Sequence, residues 1–137
     1  MNERRPAGEN SGARGIVVGH GDLARGLVDA VRRIAGGAAD ALTPLSNEGR
    51  SPQQLVADLE AMAGNGPVIV FVDLQTGSCG LAAQVSSRDN AARAVVCGVN
   101  LPMLLDFVFN RTQPVSEIAQ RLVELGRGSI QPAQPPR

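Results

Sequence analysis

The sequence predicts a single α/β domain built on a mostly parallel central sheet of four to five strands, with helices flanking both faces. Three observations carry this. A chain of 137 residues suits one compact unit. Between Gly15 and Gly126, apolar runs of strand length alternate with segments of helical period, the pattern of parallel strands joined by crossover helices. The run Val68 to Val72 is continuously β-branched or aromatic, as suits a strand buried on both faces. Residues 1–14 and 127–137 are polar, rich in Gly and Pro and without periodicity, so both are expected to be flexible tails around a domain spanning 15–126.

The first strand is read at Ile16 to Val18. It is followed by Gly19, His20 and Gly21, which places His20 in a strand-to-helix loop. Leu23, Leu27, Val31 and Ile34 then recur at helical spacing and predict one apolar face, with Asp22 as N-cap and Gly36 or Gly37 as stop. A weaker strand is expected at Ala41 to Leu45. Ser51, Pro52 and Gln54 form a helix start, with Ser51 as cap, Pro52 in the first helical position and Gln54 completing a capping box. Leu55, Leu59 and Met62 supply that helix's stripe. Val68 to Val72 ends at Asp73, and the loop Gln75 to Gly80 leads into a short helix around Leu81 to Val85. A fourth strand is expected at Ala94 to Val99. The next helix, opening at Asn100 to Met103, buries Leu104, Leu105, Val108 and Phe109. The last helix is capped by Ser116, carries Ile118, Leu122 and Leu125, and is expected to stop at Gly126.

Composition removes several function classes. Basic and acidic residues both number 13, so no positive excess is available to neutralise a nucleic-acid backbone or an anionic membrane. With 2% aromatics and neither Trp nor Tyr, stacking platforms for unpaired bases are lacking too. Every basic residue is Arg, which excludes a phosphate-loop lysine and a Schiff-base lysine together. Cys79 and Cys97 lie too far apart for a CxxC pair, and one His cannot complete a structural zinc set with them, so no metal or cofactor is expected. The N-terminal segment is charged without an apolar stretch, and no run reaches the roughly 20 apolar residues of a bilayer span. A cytoplasmic protein without membrane insertion is the expectation.

In parallel sheets, ligands bind outside the carboxyl ends of the strands. His20, Asp73 and Ser78 all fall there. If the first and third strands are neighbours, Asp73 can accept a hydrogen bond from one imidazole nitrogen of His20, fixing the tautomer and freeing the other nitrogen as a nucleophile. Gly19 and Gly21 allow a bulky partner close to the backbone, and amides near Gly77 and Ser78, at a helix start, favour an anion. An imidazole beside anion-binding amides fits a transient phosphoryl group. The plainer alternative is a loop histidine with one hydrogen bond. Gly19, Gly21 and Ala24 also satisfy a dinucleotide fingerprint, but the acidic residue expected at the end of the second strand is displaced. Ser78 is not in a nucleophile elbow, because Thr76 stands where that motif needs glycine. Cys79 reads as a small packing residue.

Three segments resemble the IIA component of the mannose-type sugar phosphotransferase system: Gly15 to Gly21 with the helix that follows, Val70 to Asp73 leading to Gly77 and Ser78, and Gly98 to Leu104. They occur in order and span nearly all of 15–126. The resemblance implies a phosphohistidine carrier in which His20 takes a phosphoryl group from the phosphocarrier protein HPr and passes it to a IIB-type domain. It implies that Asp73 orients the imidazole, that Gly21, Thr76, Gly77 and Ser78 surround the phosphoryl group, and that the protein forms a homodimer. The family's aromatic residues and Pro-Phe-Asn element after the aspartate are absent from Leu74 to Leu81, a loss that fits a stand-alone regulatory carrier. The phosphotransfer subunit of dihydroxyacetone kinase shares the histidine loop, whereas the Gly98 to Leu104 segment favours the mannose type. A non-catalytic regulatory or binding module of the same fold is the other reading.

Overall fold

The computed structural model describes residues 12–136. The expected N-terminal tail therefore lies, up to Ser11, outside the described residues, as does Arg137. The elements run β1 (Arg14–Gly19), α1 (Leu23–Ala35), a 3-10 turn (Gly36–Ala41), β2 (Leu42–Ser46), α2 (Pro52–Ala63), β3 (Val68–Val72), α3 (Ser78–Ser86), β4 (Arg93–Cys97), α4 (Leu101–Phe109) and α5 (Val115–Gly128). The four described strands pair in parallel in the order β2-β1-β3-β4. The chain thus steps from β1 outward to β2, then crosses back and continues from β3 to β4. With all crossovers of one hand, that reversal puts α1 on one face of the sheet and α2 and α3 on the other. After β4, α4 and α5 complete the cover beside α1.

Strand alternation sorts the two cores. Val17, Ile69, Phe71 and Val96 face α1, α4 and α5, while Ile16, Val18, Val68, Val70 and Val72 face α2 and α3. All five residues of β3 are buried, in keeping with its uninterrupted apolar sequence. Each such Val or Ile removed from water contributes roughly 1.5–3 kcal/mol, so the central pair of strands is the stable frame of the molecule. At one end of that frame Ala13 and Arg111 exchange hydrogen bonds, the Ala13 amide donating to the Arg111 carbonyl and the Arg111 guanidinium to the Ala13 carbonyl, both at 2.8 Å.

Several elements differ from the sequence expectation. In α1, Ala24, Val28 and Val31 are buried, and Leu23 and Ile34 are exposed. Leu23 stands over Gly19 at the sheet rim rather than beneath the helix. Asp22 makes no capping bond and pairs with Arg25 instead. In α4, Met103, Leu104, Phe107 and Val108 are buried, and Phe109 is exposed. Two residues along a helix is about 200° of rotation, so Phe107 and Phe109 cannot share a face. Phe107 takes the inner place, edge-on to Phe71 with centroids 5.1 Å apart.

Ser116 is not a cap, because α5 opens one residue earlier behind Pro114. Gly126 does not end α5 either. A Cβ there would stand 2.6 Å from the Met103 Cε atom, so glycine serves the close packing of α5 on α4, and the helix runs on to Gly128. The strands themselves fall within two residues of expectation. The helix after β3 begins earlier, at Ser78, and the Ser51 cap of α2 forms as expected, its hydroxyl accepting from the Gln54 amide at 3.1 Å. Among the described residues, no helix is long and apolar enough to cross a membrane.

Candidate active site

The reversal of strand order falls between β1 and β3, where the loops leaving the two strands diverge to opposite faces and open a crevice. The register brings Val18 level with Val72, and the Asp73 amide donates to the Val18 carbonyl at 3.2 Å. The residues that follow, His20 and Asp73, therefore leave the sheet side by side. The imidazole Nδ1 of His20 lies 2.7 Å from Oδ2 of Asp73, and the His20 amide donates to the same oxygen at 3.0 Å. The other carboxylate oxygen, Oδ1, accepts from the Leu74 amide at 2.8 Å.

Burial of Asp73 works against its charged form, but bonds from the His20 ring and from the His20 and Leu74 amides outweigh it and hold the carboxyl below its usual range. An ionised Asp73 can only accept, so Nδ1 is the donor, and in the neutral tautomer that this selects Nε2 keeps its lone pair. Among the described residues nothing hydrogen-bonds Nε2. The side chain of His20 is 45% exposed and that of Asp73 only 9%, which gives a reachable ring on a buried anchor.

The turn before α3 completes the surroundings. Gly77 has φ +92, a conformation side-chain-bearing residues rarely adopt, and a Cβ there would lie 3.9 Å from the imidazole Cε1. Gly80 is under tighter constraint still, since a Cβ would fall 2.2 Å from the Gln75 carbonyl oxygen. The loop after Asp73 folds directly onto the first turn of α3 at that point. Thr76, Gly77 and Ser78 line one end of a groove of about 560 Å³ between α2 and α3, whose apolar wall includes Pro52, Val56 and the 62%-exposed Leu81.

Gly21 follows the histidine directly, with φ +59. Its amide donates to Asn47 Oδ1 at 3.3 Å, and the Asn47 amide donates in turn to the Gly19 carbonyl at 3.2 Å. Asn47, which holds the histidine loop against the end of β2, has no counterpart in the sequence reading. It lies in a loop with no periodicity to mark it, and only its place after a parallel strand could have drawn notice.

Cys79 is fully buried, as a packing residue should be, but its Sγ is 3.8 Å from His20 Nδ1. Burial, reinforced by the Asp73 charge, pushes the thiol pKa up against a hydrogen bond with Ser78, so the sulfur is protonated and no nucleophile. Cys97 stands apart at the end of β4 as a second free thiol. His20, Asp73 and Cys79 each offer a ligand atom within 4.8 Å of the others, the one such trio among the described residues.

Comparison with known proteins identifies the family to which this fold belongs. A family model described as the phosphotransferase system (PTS) fructose IIA component, EIIA-man, matches residues 15–123. The chain belongs to this family. Among solved structures, the mannose/sorbose-specific IIA subunit of the phosphotransferase system from Enterococcus faecalis superposes with a TM-score of 0.81 at 26% identity, over 92% of this chain and 98% of that one. The phosphotransferase component EIIA from Streptococcus agalactiae gives 0.80 at 21% identity over 88% and 96%. A sigma-54 interaction domain protein from Enterococcus faecalis shares the fold at 0.66 and 12% identity, over 88% and 94%. No curated protein sequence matches the chain. The IIA component therefore has the four-stranded parallel sheet of its relatives, with His20 and Asp73 at the switch in strand order.

Proposed function

We propose that this IIA component is a cytoplasmic phosphohistidine carrier: His20 accepts a phosphoryl group from phospho-HPr and passes it to a IIB-type acceptor, or holds it as a regulatory signal. The observation that carries the proposal is the 2.7 Å contact between His20 Nδ1 and Asp73, which leaves Nε2 as the attacking atom. The Nε2 lone pair forms a bond to phosphorus as the donor's phosphorus–nitrogen bond breaks. The ring proton stays on Nδ1, and the Asp73 carboxylate offsets the positive charge that develops on the imidazole. Catalysis is then positioning of two docked proteins with the phosphorus in line between two nitrogens.

In this reading Gly77 and Ser78 border the phosphoryl oxygens from the start of α3, Thr76 stands at the groove end, and Gly21 shapes the turn that presents the ring. A homodimer is part of the proposal, by analogy with the mannose-type members it resembles.

The test is incubation with phosphoenolpyruvate, the first enzyme of the relay and HPr, followed by intact-mass measurement. An acid-labile gain of roughly 80 daltons is expected, absent in His20→Gln and formed much more slowly in Asp73→Asn. No gain with donors shown to be competent on another IIA protein would replace this reading with the non-catalytic regulatory or binding module.

A further inference from the structure

We propose that His20 Nδ1, Asp73 Oδ2 and Cys79 Sγ form a three-ligand site for one thiophilic divalent cation, best matched by Zn2+, and that its occupancy switches the histidine off as a phosphoryl acceptor. The sequence alone offered no such set, because it weighed one histidine with two distant cysteines. The fold excludes Cys97 and brings in a carboxylate instead.

The geometry is close to what a tetrahedral ion needs. Zinc bonds of about 2.0–2.1 Å to nitrogen, 2.3 Å to sulfur and 2.0–2.2 Å to oxygen place neighbouring ligand atoms about 3.4–3.6 Å apart. The nitrogen–sulfur separation here is 3.8 Å, and all three ligand atoms lie within 4.8 Å of one another. The nitrogen–oxygen separation of 2.7 Å is a hydrogen bond, and must open by about 0.7 Å as the cation replaces the shared proton. Asp73 keeps the Leu74 amide on its other oxygen as an anchor during that shift. One sulfur, one nitrogen and one oxygen form a donor set that suits Zn2+ and disfavours Mg2+ or Ca2+. Three protein ligands leave a fourth position for water.

The chemical consequence follows from proton balance. A neutral imidazole carries one N–H. When the cation takes the Nδ1 lone pair, that proton moves to Nε2, while the Cys79 thiol gives one proton to solvent. Nε2 then has no lone pair for phosphorus. Zinc and phosphoryl group therefore oppose one another at the same ring, and each weakens the other's binding by linkage. The switching half of this proposal rests on the phosphocarrier reading, whereas the binding half does not.

Two measurements on the full chain separate them. First, the metal-free protein is titrated with Zn2+ against a chromophoric chelator, and with Co2+ while thiolate-to-metal charge-transfer absorption is recorded. One ion per chain is expected, with the charge-transfer band retained in Cys97→Ser, lost in Cys79→Ser, and zinc affinity lowered roughly tenfold or more in Asp73→Asn. Affinity weaker than about 100 µM for Zn2+, or a band that follows Cys97, overturns the site. Should Cys79→Ser fail to fold, the wild-type band and its survival in Cys97→Ser still decide the matter.

Second, purified phospho-HPr serves as sole donor, so upstream enzymes do not matter. Zn2+ is expected to suppress phosphoryl uptake in wild type, Mg2+ to leave it unchanged, and Cys79→Ser to lose the zinc sensitivity. Zinc binding with undiminished uptake overturns the switch. Absence of uptake even without zinc counts against the phosphocarrier reading, while the cobalt spectrum continues to judge the metal site.

Discussion

The two faces of the sheet are built from the same four strands yet end up differently. On the side of α1, α4 and α5, large side chains interlock: Phe71 meets Phe107 edge-on, and Met103 is pressed against Gly126. On the side of α2 and α3, the first turns of α3 contribute Cys79, Gly80, Ala82 and Ala83, and the outer part of the space between the helices is left as a groove. Small residues let α3 approach the sheet closely, which brings the Gly77 turn against His20. The contrast shows one face filled by interlocking side chains, while the other gives up filled volume to place a turn beside the His20 ring.

Substitutions can break or sharpen that contrast. Phe107→Ala empties the closed face and should cost about 3–5 kcal/mol in urea unfolding, while the fraction still folded takes up phosphoryl groups at an unaltered rate. Gly80→Ala strikes the other face. Its Cβ would meet the Gln75 carbonyl oxygen at 2.2 Å, so unfolding free energy should fall by about 1–3 kcal/mol. Here phosphoryl uptake should slow even at temperatures where the variant is fully folded, because the displaced loop carries Gly77 with it. An equal slowing in Phe107→Ala would show that the two faces are not separable.

Ser51→Ala removes the α2 cap and should lower stability by about 1 kcal/mol, read from the same unfolding curves. Leu81→Ser, at an exposed groove position, should change stability by less than about 0.5 kcal/mol. If the groove receives the donor protein, uptake from phospho-HPr should show a raised half-saturation concentration in Leu81→Ser with its maximal rate kept.

The strands were the most legible part of the chain. A parallel strand buried on both faces, such as Val68–Val72, leaves an apolar run that nothing else in a short domain explains. From the strands came the position of His20 and Asp73, and hence the pair itself. The helix faces were less legible, because apolar spacing favours large side chains whereas close packing on a sheet favours small ones. Ala24 is buried where Leu23 was expected, and Gly126 is a contact rather than a stop. Asn47 and the approach of Cys79 to the imidazole depend on how two loops settle in three dimensions, for which no local pattern exists.

The partners at the two ends of the central strands are far apart along the chain: His20 and Asp73 are separated by 53 positions, and the Ala13–Arg111 clasp spans 98. During synthesis the histidine loop leaves the ribosome well before its carboxylate does, and closing such distant segments is slow compared with forming any single helix. A partly made chain thus holds an imidazole without its orienting anion. The oriented ring exists only once β1 and β3 have zipped together, so under the proposed function nascent and misassembled copies would lack the arrangement that a donor needs.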